Sequence, residues 1–248
     1  MGGERLKHYE EGIIISNEEV GPNIYKLVLK GNFHGKPGQF YMIRGWNGLD
    51  PFLARPLSIA DLEDGRITFL YELRGRGTHI ISKLGKGDNL SILGPLGNGF
   101  DYGKKKGIAL VSGGIGIAPM YYLSKSLLYK GDLFAGFRDN TFFLDEFKEY
   151  IRELNISTED GSIGHKGYIV DILNPEEYDL IMACGPTPML KAILEKCQGK
   201  APVYISMESH MGCGIGTCLG CTINTVRGIE RVCKEGPVFL GEELVFND

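Results

Sequence analysis

The 248-residue chain lacks the features that mark several protein classes. No apolar run approaches the roughly 20 residues needed to span a bilayer, so no membrane role is expected. The opening MGGERLKHYEEG has no apolar core of a secretory signal, and a cytoplasmic location is expected. Basic charge is not in excess: 27 Lys and Arg against 31 Asp and Glu leave a net charge of -4, which argues against a nucleic-acid partner. The one basic run, Lys104 to Lys106, is too short to change that. Internal repeats and low-complexity tracts are absent. With 43% hydrophobic and 23% charged residues, the composition is that of a globular protein, long enough for two modest domains and a small appendage.

The pattern changes just after residue 100. Before it, short alternating runs such as IYKLVLK (24–30), GQFYMI (38–43) and RITFLYEL (66–73) read as half-buried strands. Turn signals separate them, among them Gly-Pro at 21–22, Pro-Gly at 37–38 and Asp-Gly at 64–65, and no long helix intervenes. An antiparallel barrel or sandwich fits this half. From residue 107 the rhythm is strand then helix. GIALVS (107–112) precedes a helix in 119–131, GDLFAGF (131–137) precedes a helix in FFLDEFKEYIREL (142–154), and YDLIMAC (178–184) precedes a helix in TPMLKAILEKC (187–197). That alternation predicts a parallel sheet covered by helices, binding its ligands at the carboxyl ends of the strands. A last strand, PVYISME (202–208), leads into a cysteine-rich loop.

Four cysteines lie in that loop: Cys213, Cys218 and Cys221 in the spacing C-x₄-C-x₂-C, then Cys233 after eleven residues. Zinc sites usually show two C-x₂-C knuckles, and only one is present. The asymmetric spacing is that of a plant-type [2Fe-2S] cluster. Gly212, Gly214, Gly216 and Gly220 let the backbone curl and aim N–H groups at the sulfurs. Rieske coordination needs two histidines, and His210 has no partner nearby, so it reads as an ordinary loop residue. A zinc loop, or disulfides in an oxidising compartment, remain the alternatives.

Cofactor signals occur in both halves. RPLSIA (55–60) and the GRGT turn (75–78) offer a cation and backbone donors to a pyrophosphate, although an Arg-Pro pair is ordinarily just a strand start and GRGT a plain loop. SGGIGIAPM (112–120) places glycines at a strand-to-helix junction, where a dinucleotide can approach the backbone; it is not the G-x-G-x-x-G fingerprint. ACGPTPML (183–190) makes a second such junction, and two turns converging on one sheet edge suggest a nicotinamide site.

Taken together, PGQF, RPLS, GRGT, GPLG, GGIGIAP and CGPTPM resemble the ferredoxin reductase-like flavoproteins. With TEDGSIGHKG (158–167), MESHMGCGIGTCLGC (207–221) and RVCKEGPVF (231–239), the chain from Gly12 to Phe246 resembles the electron-transfer subunits of type B dihydroorotate dehydrogenases. The resemblance implies an FAD-binding β-barrel domain over 1–103, an NAD-binding α/β domain over 104–203 and a [2Fe-2S] subdomain over 204–248. It implies FAD along Arg55, Pro56, Leu57 and Ser58, beside Leu70, Tyr71 and Glu72, with its pyrophosphate at Gly77 and Thr78. It implies NAD(H) at Gly113, Gly114, Gly116, Pro119, Cys184, Gly185 and Pro186, and the cluster on Cys213, Cys218, Cys221 and Cys233. Where relatives often carry a basic residue after the tyrosine, this chain has Glu72, with Arg74 and Arg76 displaced downstream.

The implied activity is electron transfer in pyrimidine biosynthesis. An FMN-containing dihydroorotate dehydrogenase catalytic subunit would oxidise dihydroorotate, in a heterotetramer of two subunits of each kind, and this chain would carry electrons through [2Fe-2S] and FAD to NAD⁺. No acid-base catalyst for dihydroorotate is evident here. A related reductase subunit serving ferredoxin, a hydrogenase or a sulfur-reducing partner shares every motif, and a zinc-stabilised binding module is the non-enzymatic alternative. Cys184 could touch the nicotinamide or be a buried strand-end thiol; Cys197 reads as structural, and His8, His34, His79 and His165 as solvated. Arg138-Asp139 follows the second α/β strand and does not decide between NADPH and NADH, whereas the family favours NADH.

Overall fold

Residues 9–246 are described by the structure, a computed structural model. The first strands are β1 (Tyr9–Gly21), β2 (Ile24–Lys30), β3 (Phe40–Arg44), β4 (Arg55–Glu63) and β5 (Arg66–Glu72); helix α1 (Arg76–Ile81) then precedes β6 (Asn89–Leu96). These strands close into an antiparallel barrel in the order β1-β2-β5-β4-β3-β6. Closure satisfies every sheet edge, so small, alternating strands become stable together. Leu27, Leu29, Ile59, Ile67 and Phe69 fill the interior, where Tyr41 meets Phe33 and Phe69 edge-on at 6.2 and 6.0 Å. The strands expected at 24–30, 38–43 and 66–73 are β2, β3 and β5.

The second half contains β7 (Ile108–Gly113), α2 (Ile117–Ser126), β8 (Gly131–Phe137), β9 (Ile151–Thr158), β10 (His165–Lys166), α3 (Ile169–Ile172), β11 (Leu180–Cys184), α4 (Thr187–Cys197) and β12 (Val203–Ser206). The chain ends with β13 (Thr222–Thr225), β14 (Gly228–Arg231) and β15 (Val238–Leu240). One seven-stranded sheet runs β10-β9-β8-β7-β11-β12-β15, parallel except for β15, which pairs antiparallel with β12. Strand order reverses between β7 and β11, the switch point at which open α/β sheets bind ligands. β13 and β14 form a separate hairpin.

Residues 142–154 correct the expectation of a helix. They form one 3-10 turn at Asp145–Phe147 and then the start of β9. Aromatic packing overrides the helical spacing. Phe143, Phe147 and Tyr150 present their edges to the Tyr121 ring at 5.1, 5.2 and 5.8 Å. Phe143, at φ 61°, turns the chain off a helical path, and Ile151 onward pairs with β8.

The two halves share a core. Ala60 and Leu70 of the barrel pack with Ile117 and Met120 of α2. Lys125 of α2 bridges Asp61 at 2.8 Å and Glu63 at 3.0 Å, and the Tyr122 hydroxyl donates to the Gly35 carbonyl at 3.2 Å. Among the described residues no helix is long and apolar enough to cross a membrane. His34, His79 and His165 are exposed as expected, His210 lies in a loop, and His8 lies outside the described residues.

The Lys125 and Asp61 side chains are only 16% and 15% exposed, so breaking their pair strands a charge. Lys125→Met is expected to destabilise the protein by about 3 kcal/mol. Adding Asp61→Asn and Glu63→Gln should recover most of that loss in urea denaturation, whereas no recovery would assign the effect to packing of the lysine stem.

Candidate functional site

Between β12 and β13 a loop carries Cys213, Cys218 and Cys221, and the turn after β14 brings Cys233 beside Cys221. Cys221 and Cys233 are buried, Cys213 is half-buried and Cys218 is exposed; none forms a disulfide. Gly214 and Gly216 shape the loop at φ 72° and 83°, a region side chains rarely adopt. A Cβ on Gly214 would also stand 2.6 Å from Met42 Cγ of the barrel.

In this curl the backbone N–H groups face sulfur. That of Gly216 donates to Cys233 Sγ at 3.1 Å, those of Thr217 and Cys218 to Cys213 Sγ at 3.3 and 3.4 Å, and that of Cys233 to Cys221 Sγ at 3.5 Å. Burial pushes the Cys213 thiol up, but the N–H groups of Cys218, Ile215 and Thr217 outweigh it and bring it down to about 6. Burial, then the neighbouring Cys221, pushes Cys233 up to about 12. Donors aimed at thiolate sulfur suit an anionic iron-sulfur cluster, so the residues fit the group their spacing suggests. Among the described residues no three His, Cys, Asp or Glu side chains converge as ligands of one ion. A [2Fe-2S] cluster instead takes its four ligands as two pairs, one on each iron.

A cleft of about 360 Å³ opens on the barrel, lined by residues 55–58 of β4, 70–72 of β5 and Thr78 of α1, all of them expected flavin residues. Gly77 stands behind Arg55, where a Cβ would come within 2.5 Å of Nε. Tyr71 turns its side chain into the barrel: it stacks on Tyr25 at 5.4 Å and donates to Asn17 Oδ1 at 2.9 Å, and burial pushes its hydroxyl pKa up. The Thr78 hydroxyl is committed to its own turn, accepting from the N–H groups of Arg74 and Gly75 at 3.1 and 3.2 Å and donating to the Gly75 carbonyl at 2.9 Å.

Among the described residues, the charged side chains lining this cleft are Arg55, Glu72, Arg74 and Glu208. Glu72 is neutralised by Arg74 at 2.7 Å, and Arg76 pairs with Asp50 and does not line the cleft. Arg55 lies over the Trp46 ring at 5.3 Å, bonds the Leu53 carbonyl and has no carboxylate partner among the described residues. Burial lowers its pKa, yet a guanidinium stays cationic at neutral pH.

A larger cleft of about 1670 Å³ follows the carboxyl ends of the parallel strands. Gly113 at the end of β7, Gly114 just after it, and Gly185 and Pro186 after β11 line it, while Pro119 lines the smaller cleft. Gly116 lies where the two turns converge: a Cβ there would meet the Cys184 carbonyl oxygen at 2.3 Å. Cys184 itself is buried and lines neither cleft. Burial, reinforced by Glu208, pushes its thiol pKa well up, so it stays protonated. Cys197 is buried on α4.

Two features escaped the sequence reading. Residues 207–211, including Glu208 and His210, line both clefts. Glu208 stands in the open cleft with protein around much of it, and those surroundings push its carboxyl up, opposed by Arg74 and reinforced by Glu72. Its place just beyond β12, at the carboxyl end of a parallel strand, was the available signal. Ser157, at the end of β9, lines the larger cleft, and its Oγ is buried with no hydrogen-bond partner among the described residues. Beside it Arg138 lines the cleft; Asp139 does not, and the acids at this end are Glu159 and Asp171.

An antiparallel barrel joined to a parallel sheet, with two clefts meeting at the switch point, defines the ferredoxin reductase-like class, here with a cysteine loop attached. A solved structure of the NADH-dependent reduced ferredoxin-NADP oxidoreductase matches at a TM-score of 0.85 and 29% identity, over 99% of this chain and 91% of that one. The family model for the iron-sulfur cluster binding domain of dihydroorotate dehydrogenase B matches residues 208–245. The dihydroorotate dehydrogenase B (NAD(+)) electron transfer subunit of Clostridium acetobutylicum is 52% identical over 238 residues, 95% of this chain and 96% of its own length. That of Clostridium perfringens is 46% identical over 245 residues, 96% and 98% respectively. The chain belongs to this family of electron transfer subunits.

Gly214→Ala should destabilise the protein by about 1–3 kcal/mol through backbone strain and also displace Met42. Gly220→Ala, at a position with no left-handed backbone and a new contact of only 3.5 Å to Cys218 Sγ, should be nearly neutral. Denaturation curves compare the two, and equal losses would remove Gly214 from this account.

Proposed function

We propose that this chain is the cytoplasmic electron-transfer subunit of a dihydroorotate dehydrogenase, holding FAD, NAD(H) and a [2Fe-2S] cluster and delivering the electrons of dihydroorotate to NAD⁺ in pyrimidine biosynthesis. One observation carries the reading: residues 207–211 line both clefts and run directly into Cys213, so all three sites share one segment. Bound together, these groups supply a change of electron count, the flavin linking one-electron transfer at the cluster to hydride transfer at the nicotinamide.

The chain's own residues bind and orient. In the smaller cleft, residues 55–58, 70–72 and Thr78 hold FAD, with Gly77 backing Arg55 and Arg55 as the cation for its phosphates. At the switch point, Gly113, Gly114, Gly116, Gly185 and Pro186 admit the nicotinamide dinucleotide close to the backbone, with Pro119 and the buried Cys184 closing the wall between the sites. Farther along, the orphaned Ser157 hydroxyl donates to the adenosine end, and Glu159 accepts from the ribose and disfavours a 2′-phosphate. Cys213, Cys218, Cys221 and Cys233 ligate the cluster, with backbone N–H groups stabilising their thiolates.

Dihydroorotate oxidation is assigned to an FMN-containing catalytic subunit, in a heterotetramer with two copies of each. The docking face lies around the exposed Cys218 and Leu219 and the loop bearing Leu49, Phe52 and Leu53, which runs into Ala54, packed with Met211 and Cys221. Such an apolar rim beside a redox site fits a stable partner.

The anaerobically purified chain should carry flavin and about two irons, as a [2Fe-2S] cluster requires. Dihydroorotate should reduce NAD⁺ only when an FMN-type catalytic subunit is added. Cofactors without that dependence would make the chain a reductase module for another acceptor, and zinc without flavin would overturn the reading. Glu159→Gln should raise the kcat/KM ratio for NADP(H) over NAD(H) about tenfold, the effect of roughly 1.4 kcal/mol. An unchanged ratio would move the adenosine ribose elsewhere.

A further inference from the structure

Arg231 ends β14, two residues before Cys233, yet its side chain reaches back into the cysteine loop. Its Nη1 donates to the Gly216 carbonyl at 2.8 Å. That oxygen belongs to the peptide whose N–H, on Thr217, donates to Cys213 Sγ at 3.3 Å. Gly216's own N–H, on the preceding peptide, donates to Cys233 Sγ at 3.1 Å. A single guanidinium therefore grips the stretch of backbone that serves two of the four sulfurs, one on each arm of the loop.

The guanidinium is itself held. Glu235 Oε2 accepts from Arg231 Nε and from its backbone N–H, both at 2.9 Å, and Oε1 accepts from Nη2. The Arg231 carbonyl accepts the N–H groups of Lys234, Glu235 and Gly236 at 3.1, 3.0 and 3.3 Å, closing the turn that delivers Cys233. The two side chains are 26% and 28% exposed, so solvent screens the arrangement only in part. An Arg–Glu pair that merely closed a surface turn would be complete without the third contact to Gly216.

We propose that Arg231 is a positioning residue for the cluster, acting through the Gly216–Thr217 peptide to hold and strengthen the N–H···S bond to Cys213 and so raise the cluster's reduction potential. A cation on a carbonyl draws charge through the amide, and hydrogen bonds linked in a chain polarise one another. Stronger donors stabilise the more negative, reduced cluster. The inference rests on the cluster reading above.

The test uses the full chain, purified anaerobically, as native protein, Arg231→Gln, Arg231→Lys and Glu235→Gln. Iron content and the visible spectrum come first: a native chain without iron sinks the cluster reading, a result distinct from the failure of this inference. In redox titration Arg231→Gln should shift the cluster midpoint to lower potential and change the EPR signature of the reduced protein. Arg231→Lys, which keeps the charge without the fork, should recover part of the shift, and Glu235→Gln, which leaves the Gly216 contact, should shift less than Arg231→Gln. In the iron-free chain, amide hydrogen exchange at Thr217 should be faster in Arg231→Gln than in native protein. A native midpoint in iron-loaded Arg231→Gln, together with native Thr217 exchange in its iron-free form, overturns the proposal. If that variant does not load iron, Arg231→Lys decides, and a native midpoint in it with native Thr217 exchange in iron-free Arg231→Gln overturns the proposal equally.

Discussion

The cysteine region is too small to bury a core of its own, so its placement depends on one it shares with the barrel. Met211, Cys221, Val232, Cys233 and Phe239 pack with Phe40, Met42, Leu93 and Leu96 of β3 and β6. Gly214 lets the loop settle directly on Met42, and Asn98, just past β6, bonds the Glu235 carbonyl at 2.8 Å and the Gly236 carbonyl at 2.6 Å. Because β3 also supplies Phe40 to the wall of the smaller cleft, the packing that seats the cysteines also fixes their relation to that cleft.

A second shared core makes the two larger units behave as one scaffold. The apolar contact of Ala60 and Leu70 with α2 is flanked by Lys125 with its two carboxylates and by the Tyr122 hydroxyl. The glycine turn over 113–116 at the switch point lies at the front of the same helix, so whatever fixes α2 against β4 also fixes the wall between the two clefts. Sites built on strand ends and helix starts hold position better than sites on free loops, which suits a protein that must keep redox groups at constant separation.

Much of this was legible in the sequence. Period-2 strands between turn signals mark the barrel, strand-helix alternation marks the parallel sheet, and the cysteine spacing carries the loop. What escaped has physical causes. Residues 142–154 have helical spacing, but the aromatic cluster around Tyr121 and pairing with β8 take them elsewhere. Ser157 belongs to no motif, and the motifs that hold Glu208 and Arg231 gave neither a role; their meaning comes from what tertiary folding sets beside them, namely two clefts, a hydroxyl without a partner among the described residues and the Gly216 carbonyl. Likewise Tyr71 and Thr78 line the smaller cleft, but their hydroxyls serve the barrel and a turn.

Strands β12 and β15 pair in antiparallel register, Ser206 opposite Val238, and the Met207 N–H closes the neck on the Pro237 carbonyl at 2.8 Å. Topologically, the cysteine region is therefore the overgrown loop of a hairpin on the edge of the main sheet. Loop length weighs lightly on such a closure, each doubling costing only about 0.6 kcal/mol. The sheet's register thus owes nothing to what the loop carries. An excursion of this kind can be gained, lost or exchanged in the history of a fold while the strands beneath it stay paired, provided that something else covers Met42 and Leu96.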